Sequence, residues 1–182
     1  MPHWFERCAR FGMLATALLV AGCASMTEEE CLTADWYERG VRDGRNGEPR
    51  SYLGDHYEAC AKVGVVPVDA DYYRGHSKGV TQYCTPDNGA RMGRAGRSYR
   101  NACPVELEGP FLQAYRPAYR VYQAEQRINT LNNNIQSKER ELDREKDEDK
   151  RRRIRRELRD LDDRLRQARK DMHYAERSQY RY

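Results

Sequence analysis

From Ala24 to Arg120 the chain contains no Ile, and Leu occurs there only at positions 32, 53, 107 and 112. A module of about 100 residues with so little aliphatic bulk has a thin core and needs reinforcement from elsewhere. Beyond residue 120 there is no Gly, no Pro and no Cys, so the turn-rich character of the first part stops there. No apolar run reaches the length of about 20 residues that a helix needs to cross a bilayer. No Cys-x-x-Cys pair occurs, which argues against the tight ligand spacing of a structural zinc site. What the aliphatics do not supply, Tyr does, at 37, 52, 57, 72, 73, 83, 99, 115 and 119. Buried Tyr rings contribute area, provided each hydroxyl finds a partner.

The N-terminus carries Arg7 and Arg10 against Glu6, then the run Phe11-Gly12-Met13-Leu14-Ala15-Thr16-Ala17-Leu18-Leu19-Val20-Ala21. A basic start, a short apolar core and small residues make a secretory signal. It closes in Leu19-Val20-Ala21-Gly22-Cys23, which resembles the lipobox of bacterial lipoproteins. That resemblance implies a signal peptide over 1–22 and lipid, palmitate included, on Cys23. Acyl chains contribute about 0.8 kcal/mol per buried CH₂, and more than one chain is needed for stable anchoring. Ala24, where an inner-membrane retention signal would be Asp, implies outer-membrane sorting, with the protein facing the periplasm.

Export governs the cysteines. Cys8 leaves with the signal and Cys23 carries lipid, so Cys31, Cys60, Cys84 and Cys103 remain. An even set in an oxidising compartment reads as two disulfides, with three possible pairings. Sequential pairing, Cys31 with Cys60 and Cys84 with Cys103, is expected because each bridge then staples neighbouring helices. The competing reading is a metal site with help from His56 and His76; neither a metal nor another cofactor is expected.

Composition divides the chain near residue 120. A lipid-anchored linker is expected over 23–30, a Tyr/Gly-rich helical module with two disulfides over 31–120, and a charged arm over 121–182. In the module, Thr33 can cap a helix carrying Trp36, Tyr37, Gly40, Val41 and Gly44 on one face. A short helix is expected around Tyr57 and Cys60, and an edge strand or connector over Val63–Val68, where Pro67 argues against a central strand. Asp69 starts a third helix with Tyr72, Gly75, Gly79 and Tyr83 on one face, and a fourth carries Met92, Gly96 and Tyr99. Asp35-Trp36-Tyr37 with Gly40 and Gly44 echoes Asp71-Tyr72-Tyr73 with Gly75 and Gly79. Each mid-helix Gly costs about 1 kcal/mol against Ala, so these glycines imply close helix packing or, alternatively, a ligand groove.

A long helical signal begins at Phe111, with Pro117 at a kink or in the first turn. Ile128, Leu131, Ile135 and Leu142 form one apolar stripe; Leu158, Leu161, Leu165, Ala168, Met172 and Ala175 form another. The two do not share a register, and Glu145–Lys150 between them has no apolar residue. An antiparallel hairpin bending there is expected, with one continuous coiled-coil helix as the alternative. The fold class is therefore mainly α: a small Cys-bridged helical module followed by a long charged hairpin or coiled-coil arm.

Gly75-His76-Ser77-Lys78-Gly79 matches the pattern of a hydrolase nucleophile elbow, which works only on a sharp turn between a buried strand and a helix. Here a helix start precedes it, so Ser77 is not expected to be a nucleophile. Asp35, Asp43 and Asp71 could be imagined as paired carboxylates, but Asp35 and Asp71 are better explained at helix N-termini. Lys150, Arg151, Arg152, Arg153, Arg155 and Arg156 form a basic cluster. Export removes nucleic acid from its partners and leaves anionic lipid or polymer, with local compensation by Asp147, Glu148, Glu157 and Asp160 as the plainer account.

Asp35-Trp36-Tyr37-x-x-Gly40-x-x-Asp43-Gly44, then Tyr83-Cys84-Thr85-Pro86-x-Asn88-Gly89, Gly93-Arg94-x-Gly96-x-x-Tyr99, Cys103-Pro104 and Phe111-x-x-Ala114-Tyr115, resemble the domain of unknown function 2799 family of proteobacterial lipoproteins. The resemblance spans roughly residues 31–125; Pro117-Ala118 departs from it where relatives tend to carry Gly. It implies an envelope location and a helical build, and no catalytic residue. The expected function is that of a non-enzymatic envelope lipoprotein. It would serve as an interaction or scaffolding module, held to the membrane by its lipid and contacting an envelope protein, an anionic polymer or a second copy through the arm. The alternative is a periplasmic ligand-binding or hydrolytic domain using the Gly/Tyr faces.

Overall fold

A computed structural model describes residues 24–179. The signal segment and Cys23 lie outside the described residues. Seven α-helices and no strand occur among them: α1 (Glu28–Leu32), α2 (Trp36–Asn46), α3 (Leu53–Cys60), α4 (Asp69–Tyr83), α5 (Pro86–Arg94), α6 (Val105–Arg144) and α7 (Glu148–Gln179). Single 3-10 turns, Arg50–Tyr52 and Ala61–Val63, flank α3.

Local chemistry sets most boundaries. Thr27 and Glu30 form a reciprocal capping box that starts α1, so part of the expected linker is folded. Asp35 caps α2 by accepting from the Glu38 N–H; Thr33, the expected cap, instead closes α1. Gly47, in the left-handed region at φ 74°, ends α2. Thr85 caps α5 and Pro86 fills its first position. The fourth expected helix is shorter than its apolar spacing suggested. It ends at Arg94, and Gly96 at φ 65° turns the chain so that Tyr99 lies in the following loop. Helix α6 begins at Val105, before Phe111, and runs unbroken through Pro110 and Pro117. Each Pro forgoes one backbone hydrogen bond there.

The glycines pack helices. A Cβ on Gly40 or Gly44 would overlap the carbonyls of Tyr72 and His76, and one on Gly75 or Gly79 those of Tyr37 and Val41. Contacts advance in the same direction along both chains, so α2 and α4 are a parallel pair at backbone contact. The motif recurs: Gly89 and Gly93 of α5 meet the carbonyls of Phe111 and Tyr115 on α6, again in parallel. The second copy extends to detail. Gly47 lies under the Tyr83 ring and Gly96 under the Tyr122 ring. Gly40-Val41-Arg42-Asp43-Gly44-Arg45-Asn46-Gly47 thus repeats as Gly89-Ala90-Arg91-Met92-Gly93-Arg94-Ala95-Gly96. The echo between α2 and α4 is the contact within one unit; the duplication is of the pair, α2/α4 and α5/α6.

Three apolar clusters follow one another along the chain. The first gathers Met26, Cys31, Trp36, Leu53, Ala59, Cys60 and Tyr72. The second joins Val80, Tyr83, Cys84, Ala102, Cys103, Phe111 and Tyr115. The third, Leu131, Leu165 and Ala168 with Ile128, Ile135 and Leu161 around them, lies between α6 and α7. Disulfides Cys31–Cys60 and Cys84–Cys103 sit in the first and second clusters and close the expected pairing.

Helix α7 folds back antiparallel on α6 through the link Glu145-Lys146-Asp147, as Lys138–Glu157 (2.7 Å) and Arg127–Asp171 (3.8 Å) record. The arm is a hairpin. Its first helix is the module's last, because α6 passes from α5 to α7 without interruption. From residue 123 to residue 144 the hairpin extends about 33 Å at 1.5 Å per residue.

Candidate functional site

The densest polar constellation lies inside the first cluster. Its elements bring together Asp43 from the glycine-bearing part of α2, His56 from α3, Tyr72 from the start of α4, and Ser25, which precedes α1. His56 Nε2 is 2.7 Å from Asp43 Oδ2, and His56 Nδ1 is 2.8 Å from Ser25 Oγ. Tyr72 Oη donates to the same Asp43 oxygen at 3.1 Å. Asp43, His56 and Tyr72 are buried, and Ser25 is half-buried. An ionised Asp43 only accepts, so His56 carries a proton on Nε2. In the neutral ring Nδ1 then accepts from the Ser25 hydroxyl. Burial, and next the Asp43 charge, push the Tyr72 phenol far above the usual range.

The order Ser–His–Asp invites comparison with a hydrolytic triad. The imidazole, however, has both nitrogens bonded and is walled in by Trp36, Tyr52 and Tyr72. His56 is itself wholly enclosed, and Ser25 is half-buried. The arrangement fastens the segment before α1. Ser25 is held to α3 and Met26 is buried beside Cys31, so the chain is fixed to the core from Ser25 onward. Helix periodicity did not flag this network. Its sequence signal is Asp43, a carboxylate between two packing glycines where a buried charge needs partners.

Ser77 lies within α4, exposed, with Oγ donating to the Tyr73 carbonyl at 2.8 Å. The strand-turn-helix geometry of a nucleophile elbow is missing at that position. His76 Nε2 donates to the Glu48 carbonyl oxygen at 2.8 Å, so that nitrogen carries the ring proton. The four module cysteines are engaged with one another. Their sulfurs are therefore not thiolate ligands, and the metal reading that joined them to His56 and His76 is replaced by disulfides. The Gly faces are filled by neighbouring helices, which leaves no groove along them.

A shallow cleft of 460 Å³ lies between the 98–101 loop and α6, with Tyr99, Asn101, Glu108, Tyr115, Arg116 and Tyr119 at its edge. Its phenols are largely committed. Tyr99 Oη donates to Glu108 and accepts from the Cys103 N–H, and Tyr115 donates to the Arg97 carbonyl.

The basic cluster resolves into individual roles. Arg151 Nη1 donates to the carbonyls of Leu142 and Glu145 at 2.6 and 2.8 Å and so closes the end of α6. Lys150 faces Glu145 at 3.9 Å, Arg155 faces Glu148 at 4.0 Å, Arg153 faces Glu157 at 3.7 Å, and Arg152 pairs with Asp149. Arg156 is exposed beside them without such a pair. Lys138 holds the Glu157 carboxyl below its usual range across the hairpin. The helix face is therefore largely compensated in place.

Residues 35–120 match a family model described as a protein of unknown function, DUF2799. This segment belongs to the DUF2799 family. No curated protein and no solved structure matches the chain. The DUF2799 segment takes in α2 to α5 and the start of α6, hence both glycine-packed pairs, together with Asp43, His56 and Tyr72. Ser25 and Cys31, which tie the preceding chain to it, and all of α7 fall outside the match.

Proposed function

We propose that this DUF2799 protein is a lipid-anchored module of the bacterial envelope, a non-enzymatic scaffold that presents a helical hairpin to a partner away from the membrane. The observation that carries the reading is the fixing of Ser25 and Met26 to the core two and three residues after Cys23. The lipobox-like Leu19–Cys23 segment supplies the anchor, and Ala24 directs it to the outer membrane, facing the periplasm. With the linker fastened, the module cannot swing on a long tether. The hairpin of α6 and α7 then becomes the part with reach. Its partner is an envelope protein, a second copy, or an anionic lipid or polymer drawn to the exposed arginines. That attraction should weaken with salt.

Two measurements test this. Cys23→Ser should release the protein from membranes or leave it unprocessed; a mature, membrane-bound mutant that still takes up labelled fatty acid would refute the anchor. Photo-crosslinking residues placed at exposed Arg159 and Arg169 on α7 in the full chain should capture partners in intact envelopes. The same residue at Arg42 on α2 should not. Crosslinks from Arg42 alone would make the arm a passive appendage and move the docking surface to the module.

A further inference from the structure

We infer that the end of the module formed by α1, α3 and the 63–68 connector is a bilayer-contacting surface, with Leu32, Val66 and Val68 seated in the headgroup region of a zwitterionic leaflet. The inference rests on the lipidation proposed for Cys23 and goes further, by assigning a face and a lipid chemistry.

Three exposed aliphatics lie on the elements of this end. Leu32 is 65 % exposed, Val66 69 % and Val68 48 %. They belong to a part of the chain whose other Val, Leu and Met side chains mostly enter the first cluster or pack on it. Their placement follows from Cys60. Cys31 is bonded to it and Leu32 comes next, while the Val65 N–H donates to the Cys60 carbonyl at 3.2 Å and Val66 comes next. Tyr57 Oη reaches the Pro67 carbonyl at 3.5 Å and pairs with Asp69, holding the Val66–Val68 segment along α3. The neighbouring residue on α3, His56, holds Ser25.

Chain length names the occupant. Cys23 is two residues from Ser25, and two Cα steps of about 3.8 Å span at most about 7.6 Å. Acyl chains on Cys23 would lie in the leaflet, so the end of the module that grips Ser25 must come down on the lipid surface. Apolar side chains at that depth gain by leaving water. A long flexible linker would impose no such contact.

Charge selects the lipid. Residues 24–83 contain eleven acidic and seven basic residues. Glu28, Glu29 and Glu30 on α1 are exposed beside the patch. Anionic headgroups are repelled there, whereas a zwitterionic leaflet such as phosphatidylethanolamine is not.

The test uses the full-length lipidated protein in phosphatidylethanolamine vesicles containing phosphatidylcholine brominated near the headgroup end of its acyl chains. Leu32→Trp and Val66→Trp, read against the parent with its buried Trp36, should lose most of the added Trp emission to bromine quenching. Val105→Trp and Tyr174→Trp should keep theirs. The mass of the N-terminal peptide from the same preparation reports lipid on Cys23. Lipid present with both Trp residues unquenched overturns the bilayer face while leaving the anchor intact; an unlipidated Cys23 overturns both. Unquenched emission that shifts to the blue with protein concentration would assign the patch to a second copy and equally overturn it. Replacing phosphatidylethanolamine by phosphatidylglycerol should reduce quenching, and an increase would refute the lipid preference.

Discussion

His56 Nε2 and Asp43 Oδ2 meet at 2.7 Å inside the first cluster, and the same carboxylate oxygen receives the Tyr72 hydroxyl. Two buried donors therefore depend on one acceptor, and through His56 so does the hold on Ser25. Asp43→Ala should lower stability by about 2–6 kcal/mol, since two buried donors lose their acceptor and each unmet donor costs about 1–3 kcal/mol. Chemical denaturation with the disulfides intact measures the loss. Hydrogen exchange should rise over residues 25–31 as well, because the fastening of Ser25 weakens with its histidine. An unchanged midpoint would mean that water replaces the carboxylate at no cost.

Glycine substitutions should change sign with position. A Cβ at Gly75 would overlap the Tyr37 carbonyl, whereas a Cβ at Gly54 in α3 meets nothing within 4 Å. Gly75→Ala should force α2 and α4 apart and cost several times the helix-propensity gain. Gly54→Ala should stabilise by about 0.5–1 kcal/mol, through helix propensity and a less mobile unfolded chain. Thermal melts of the two variants decide the matter, and similar shifts would contradict the packing described.

The sequence was most legible where one residue type has one dominant physical use. Four cysteines in order became two local bridges, the apolar stripes of the arm became a hairpin, and Gly40, Gly44, Gly75 and Gly79 became backbone contact. Length was harder to read: Val105–Pro110 offers no apolar periodicity, so the start of α6 was invisible. The duplication was masked because the partners of Gly75 and Gly79 in the second unit are Ala114 and Ala118, equally small but different letters. The polar network was illegible for another reason. Ser25, Asp43, His56 and Tyr72 are distant in sequence, and no local periodicity marks a buried hydrogen-bond chain.

Alkaline pH should unfold the module through its tyrosines. Burial chiefly, with Glu108 adding to it and the Cys103 N–H opposing, pushes the Tyr99 phenol up to about 12 from 10.0. Burial also raises Tyr83 and Tyr115. A raised folded value means that the folded chain holds its proton more tightly than the unfolded one. The associated stability is complete below about pH 10 and is lost as the pH climbs through about 12. Phenolate absorbance during a titration should show some tyrosines ionising late, together with loss of helix. Tyr99→Phe should flatten the alkaline limb of stability while lowering the neutral plateau, since its hydroxyl also accepts from the Cys103 N–H.

Arg151 and Arg155 belong to the same basic cluster and should behave differently. Arg151 donates to two carbonyls at the end of α6, Leu142 and Glu145, and its side chain is only a quarter exposed. The last carbonyls of a helix have no partner within it, and a cation there also meets the favourable end of the dipole. Arg155 reaches Glu148 only at 4.0 Å on an exposed face, where an ion pair contributes little. Arg151→Ala should therefore loosen the bend, costing about 1–2 kcal/mol locally, by analogy with charge-assisted hydrogen bonds at about 1.5–3 kcal/mol, discounted for partial exposure. Arg155→Ala should remain within about 0.5 kcal/mol of the parent. Hydrogen exchange at residues 142–150 reads the difference. Partner crosslinking should show the reverse dependence if the exposed arginines are what a polyanion meets: Arg155 and Arg156 removed together should weaken capture, and Arg151 alone should not. Equal exchange in both single variants would show that the bend is held by Glu145 and Asp147 without Arg151.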